Sequence, residues 1–195
     1  PTSTQRMTDN RAIQEKSNDY VAKRQELYTF FEAAASYAST KKPEKDLRYE
    51  AMTGCFREKK RVYFHADDLQ QLNDIIDFVH YFKLSAPVIV GGYDAALIAR
   101  KLKDAKIAVM LYRPHSLPKR EEEAVNQPYS TAFKLQEEGV LFCIQNEGDM
   151  EAMQSRNLPF NAGAAVAYGL SKEEALASIS LNAAKILRIE SLIGS

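Results

Sequence analysis

Histidines and carboxylates fall just past the ends of short apolar runs, which is where this chain could do chemistry. His65 follows directly on Val62-Tyr63-Phe64, with Asp67 and Asp68 beyond it. Gly91-Gly92-Tyr93-Asp94 follows Pro87-Val88-Ile89-Val90, and Tyr112-Arg113-Pro114-His115 follows Ile107-Ala108-Val109-Met110-Leu111. Gln145-Asn146-Glu147-Gly148-Asp149 follows Val140-Leu141-Phe142-Cys143-Ile144. In parallel α/β folds, function collects in the loops after the C-terminal strand ends. Histidines and carboxylates converging there would suit metal-assisted hydrolysis, in which a divalent cation lowers the pKa of water and polarises the scissile carbonyl. His65, ending an apolar strand, is the candidate metal ligand. Asp94, Arg113 and His115 are candidates for substrate contact.

Each of these positions also has a plainer reading. Asp67 or Asp68 would cap the helix that follows. Gly91-Gly92 would be a tight turn where side chains clash. His115 lies in a proline-bearing loop where it would be exposed, and His80 would pack at the edge of a helix.

The elements that must position these groups alternate. A long helix is expected over residues 10–38, with Ile13, Tyr20, Leu27 and Phe31 recurring at helical spacing. Lys41-Lys42-Pro43 ends it, because proline disfavours helical geometry in the residue before it. A second helix would place Leu47, Ala51 and Cys55 on one face. From Arg61 the four apolar runs read as strands separated by helical patterns at residues 69–82, 94–103 and 131–138. A polar loop over residues 145–157 and helices over 162–168 and 172–187 follow. That alternation predicts a parallel sheet covered by helices, either an open doubly wound sheet or part of a closed barrel. No Gly-x-Gly-x-x-Gly follows a strand, so nothing supports a dinucleotide site.

Composition narrows the class. The chain has 195 residues, 45% hydrophobic and 27% charged, as expected of a folded domain and not a disordered one. Its 26 Lys and Arg balance 26 Asp and Glu, which gives no electrostatic case for nucleic acid or an acidic membrane. Cys55 and Cys143 form no disulfide framework or zinc knuckle, and Cys143 reads as a buried small hydrophobe. No stretch is long and apolar enough to cross a bilayer. The first residue is Pro1 and the opening is polar, so the expectation is that the natural N-terminus lies further upstream, and the compartment is undetermined.

The tail from Leu170-Ser171-Lys172-Glu173-Glu174-Ala175-Leu176 through Ser180-Leu181-Asn182-Ala183-Ala184 to Gly194-Ser195 resembles the closing segment of amidohydrolases related to imidazolonepropionase. There, a GL-x-x-EEAL helix precedes a T-x-N-P-A-x-x-LG helix. Ser171 and Glu174 are spaced as a capping box, and Asn182 is placed to cap the short helix after it. The resemblance is specific in the tail, weaker from Val62 onward and loose over the leading helices. It implies that His65 matches a histidine ligand ending the fifth barrel strand. The sixth-strand histidine would fall at Gly91 and is missing. The eighth-strand aspartate would fall near Glu147, with Asp149 the alternative, as the catalytic carboxylate. The first-strand His-x-His pair and the fourth-strand ligand have no counterpart.

The expectation is therefore an α/β chain. Residues 1–60 form a helical leading segment, and residues 61–195 form a partial TIM-like (β/α) barrel whose parallel strands correspond to its second half. By resemblance the parent protein is a hydrolase of non-peptide C–N bonds that uses zinc or another divalent metal, with a small-molecule substrate and a reduced metal site. The fragment itself would hold no metal, and could self-associate through half-barrel edges. The rivals are a catalytically inactive binding protein of the same fold, and a flavodoxin-like open sheet with Gly91-Gly92 as its anion loop.

Overall fold

The four apolar runs become strands β1 (Tyr63–Ala66), β2 (Val88–Gly91), β3 (Ala108–Leu111) and β4 (Phe142–Ile144). The computed structural model describes residues 3–41, 44–57, 59–146 and 153–193, with side chains from Asn18 onward. It divides into two units, Pro1–Lys59 and Lys60–Ser195.

In the first unit, helix α1 (Ser3–Ser39) is followed by α2 (Leu47–Met52) and a short turn of 3-10 helix, Thr53–Cys55. Asp46 caps α2 by accepting from the Arg48 N–H at 2.9 Å. The expected α1 stripe is only partly buried. Phe31 and Ala34 are buried, whereas Leu27 is 42% exposed. The reason is reach: α2 and its turn meet α1 through Phe30–Tyr49, Phe31–Phe56 and Tyr37–Tyr49 ring contacts, all on its last turns. Ile13 lies outside the described side chains.

In the second unit the strands pair in chain order, every pair parallel. Helix α3 (Leu69–Phe82) follows β1, and α4 (Ala99–Asp104), entered through a 3-10 turn at Ala95–Ile98, follows β2. Helix α5 (Gln127–Glu137) follows β3, with Pro128 in its first turn, where the missing N–H costs nothing. After β4 come a 3-10 turn, Ser155–Asn157, and helices α6 (Leu158–Ala167), α7 (Lys172–Ser178) and α8 (Leu181–Leu187).

This winding bears on the two sheet architectures. A doubly wound sheet reverses its strand order at a switch point. Here the order β1-β2-β3-β4 never reverses, so right-handed crossovers place α3, α4 and α5 over one face. That face carries Phe64, Ile89, Val109 and Phe142 in register, and Phe64 meets Phe78 of α3 at 5.7 Å. Such a four-stranded parallel piece fits part of a barrel. The opposite face carries Tyr63, His65, Val88, Val90, Ala108, Met110 and Cys143. Helix α8 lies against part of it, Ile186 clustering with Val88, Ala108 and Cys143. Cys143 is 1% exposed, the buried small hydrophobe its surroundings in sequence suggested, and burial pushes its thiol up to about 12.

The tail departs from its expected capping. Ser171 Oγ does accept from the Glu174 N–H at 3.2 Å, but Glu174 does not reach back. Its carboxylate instead accepts from Asn182 at 2.7 Å, and Gln136 Oε1 accepts from the Ser171 N–H. Asn182 therefore sits buried inside α8, tying it to α7, and caps nothing. The helical stretch over residues 172–187 is two helices, broken at Ile179-Ser180.

Candidate functional site

The loops at the C-terminal ends of the strands are stitched together by charge. Asp94, 1% exposed, receives Arg120 Nη1 at 2.9 Å and Nη2 at 2.7 Å, one on each oxygen. Arg120 also donates to Glu123 at 2.6 Å. Tyr93 donates its hydroxyl to Glu123 and accepts from the Lys119 N–H at 2.8 Å. Lys119 in turn pairs with Asp67 at 2.6 Å and stands 4.6 Å over the Tyr93 ring. Three loops, after β1, β2 and β3, thus form one network.

The network sets local proton affinities. The Arg120 guanidinium holds the Asp94 carboxyl below the usual carboxylate range, against the opposing effect of burial. Glu123 is lowered first by the Tyr93 hydroxyl and then by Arg120. Burial, then the bond to Glu123, pushes the Tyr93 phenol up. Arg120 is raised by its bonds to Asp94 and then Glu123, so it stays a cation throughout.

Within this frame Asp94 plays a structural part. Its Oδ2 accepts from the Leu69 N–H at 2.9 Å and so satisfies the first turn of α3 from a different loop. Neither adjacent acid does this. Asp68 takes the N-cap position without a side-chain bond to the helix. Asp67 uses Oδ1 to accept from the Tyr93 N–H at 3.2 Å. The glycine pair is required by the same arrangement. Gly91 has φ +104°, and a Cβ there would stand 2.6 Å from Asp67 Oδ1 and 3.0 Å from the Ala66 carbonyl.

His65 lies one residue inside β1, on the face away from α3, and its side chain is exposed. Its register partner is Val90, with Met110 and Cys143 continuing the same row. The resemblance puts the missing ligand at Gly91. Position 91 pairs with Ala66 and points to the opposite face. The neighbour of His65 on its own face is an apolar Val90.

Arg113 and His115 come together, in a cleft of about 250 Å³ that they share with Asn146, Asn157, Phe160 and Asn161. Asn161, nearly buried at the start of α6, donates to Asn146 Oδ1 at 3.1 Å. His115 meets Tyr129 edge-on at 5.8 Å, and Tyr129 stacks on Tyr168 at 4.8 Å. Two candidate contacts are thus joined, whereas Asp94 is committed elsewhere. Glu147 and Asp149 lie outside the described residues. His80 is exposed on α3. Sequence reasoning gave Lys119, Arg120, Glu123 and Asn161 no role. The one local signal was the dense mixed-charge stretch Lys119-Arg120-Glu121-Glu122-Glu123, which by itself reads as solvated surface.

A catalytic zinc takes three protein ligands and keeps one open position. Among the described residues no three of His, Cys, Asp and Glu are grouped so as to hold a metal ion. These residues do not by themselves fit the metal that the tail resemblance implies. Nor, among them, is any helix long and apolar enough to cross a membrane.

No family model and no curated protein matches the chain. Among solved structures it is similar to the crystal structure of an amidohydrolase from Thermotoga maritima MSB8, with a TM-score of 0.63 and 27% sequence identity. The match covers 91% of this chain and 45% of that one, so the chain spans less than half the length of that protein. Fold and comparison together define an α/β chain that is amidohydrolase-like, a relationship to a hydrolase fold.

Proposed function

We propose that this chain supplies the later strands of an amidohydrolase-type barrel, imidazolonepropionase-like in its tail, whose whole form hydrolyses non-peptide C–N bonds of a small molecule. The observation that carries the reading is His65, near the C-terminal end of β1 on the sheet face turned away from α3, in a sheet wound like a barrel. The metal-activated water that the resemblance implies would draw its other ligands from outside the described residues, with Glu147 or Asp149 contributing. Alone, the chain neither retains a metal nor hydrolyses, because a lone histidine gives a weak, wet site. Its parallel edges, including the outer edge of β1, are places where the remaining strands or a second copy would pair.

Elemental analysis of the dialysed protein, with a screen on N-acyl amino acids and cyclic amides, tests this. The expected result is substoichiometric metal and no turnover. Stoichiometric zinc, with an activity lost in His65→Ala, would overturn it. A catalytically inactive binding member of the fold is the second reading. It is favoured by the apolar Val90 beside His65 and by a cleft lined by Arg113, His115 and amides, which suits binding without chemistry.

A further inference from the structure

At the other end of the sheet, where the strands begin, a second cleft opens. It has a volume of about 390 Å³ and lies under the segments leading into β1, β2, β3 and β4. Its floor is apolar, built from Pro87, Ile107 and Val140, all buried. Its rim carries Arg61, Lys103 and Lys106, and among the described residues no carboxylate lines it. In a chain with equal numbers of acids and bases, three cations around an apolar floor are a local imbalance.

The partners of these cations sharpen the point. At the other end of the strands two cations meet carboxylates, Lys119 with Asp67 and Arg120 with Asp94. Here Arg61 donates to the Lys185 carbonyl at 3.2 Å and Lys103 donates to the Gly139 carbonyl. These are neutral acceptors that leave the charge uncompensated. Arg61 Nε is buried with no hydrogen-bond partner among the described residues. Burial, then repulsion from Arg188, lowers the proton affinity of the guanidinium, with Glu190 and Tyr63 opposing. A partly desolvated cation whose hydrogen bonds go to a neutral acceptor or to none is costly, and a bound anion lowers that cost.

We infer that the cleft bounded by Arg61, Lys103 and Lys106 is a binding site for a small organic anion, a carboxylate or phosphate head on an apolar body. The head sits among the three cations, with charge-assisted bonds from the lysine ammonium groups and from Arg61. The apolar body lies on Ala86 and Leu141, over the buried Pro87, Ile107 and Val140, in the balance of mostly apolar lining and few polar groups typical of small-molecule sites. The site stands at the opposite end of the strands from His65, Arg113 and His115. Its occupancy is therefore independent of whether the chain takes part in hydrolysis.

The test is titration of the full chain with octanoate, octyl phosphate, neutral octanamide and inorganic phosphate, followed by calorimetry and by amide chemical shifts. Octanoate or octyl phosphate is expected to bind with a Kd of about 1 mM or below and to shift the amides of residues 86, 106–108 and 139–141. Octanamide and inorganic phosphate, each lacking one half of the recognition, are expected to bind at least about tenfold more weakly. Which of the two anions binds more tightly assigns the head group. Lys106 is exposed, so Lys106→Glu leaves the packing intact, and it is expected to weaken the anion about tenfold or more while leaving octanamide unchanged. His65→Ala and Arg113→Gln are expected to leave anion binding as it is. Failure to bind either amphiphilic anion, equal affinity for octanamide, shifts mapping to another surface, or indifference to Lys106→Glu would each overturn the inference.

Discussion

Arg120 grips Asp94 with both terminal nitrogens, at 2.9 and 2.7 Å, and Asp94 passes the grip on to the first N–H of α3. One carboxylate therefore joins three loops that are separate in sequence. Removing it leaves the Leu69 N–H without its acceptor and Arg120 without its main partner.

Asp94→Ala is accordingly expected to destabilise the fold by about 2–3 kcal/mol, less than the about 3–5 kcal/mol for breaking a fully buried pair, since Arg120 is itself 36% exposed. Urea unfolding should show a lower midpoint at an unchanged slope. A midpoint within error of the parent would mean that the network is ornamental to stability.

The same network predicts how stability varies with pH. Asp94 and Glu123 have folded-state values below their ordinary ones, so the folded state binds fewer protons than the unfolded chain. Their contribution is complete above the unfolded carboxylate values of about 4. It is lost as pH falls further, through the depressed folded values. Urea midpoints should hold between pH 7 and 5 and then drop, and Arg120→Gln should flatten the drop. A parent midpoint that stays constant down to pH 3 would contradict this linkage.

The register beside His65 can be tested by building a second ligand. Val90→His places an imidazole next to His65 on the same face, whereas Gly91→His directs one to the opposite face against Asp67 and the Ala66 carbonyl. Val90→His should gain retention on immobilised nickel over the untagged parent. Gly91→His should gain none and should lose about 1–3 kcal/mol of stability to backbone strain. Equal retention by both variants would mean that the strand register is wrong.

Cys143 offers a chemical check on the core. Its thiol is buried and pushed up to about 12, so at pH 8 it should react with a disulfide reagent far more slowly than a free thiol. Denaturant should release both Cys143 and Cys55. Rapid native labelling of Cys143 would argue that α8 does not cover that face.

Strand-helix alternation was readable from sequence because period and composition are local. The four apolar runs became strands, parallel and in chain order. What could not be read was face and partner. The family resemblance put the absent histidine at Gly91, but only pairing reveals that Val90 shares a face with His65. Likewise Asp94 looked available for a ligand, since nothing in the sequence links it to Arg120 across a proline-bearing loop. Ser171 and Glu174 had the spacing of a capping box, yet Asn182, eight residues beyond Glu174, captured the glutamate instead. Long-range polar pairing overrode local pattern at Asp94 and Glu174.

Because spatial order repeats chain order, each strand finds its partner in the segment synthesised immediately before it. Nothing has to be held open for a later insertion. As the polypeptide leaves the ribosome, the sheet can grow by accretion, each new strand docking on a template already in place. Loop-closure entropy then stays modest at every step, and each of these strands after β1 docks on the newest edge. A nascent chain stalled after β3 should already protect the amides shared by β1 and β2 from exchange, in advance of any residue of β4.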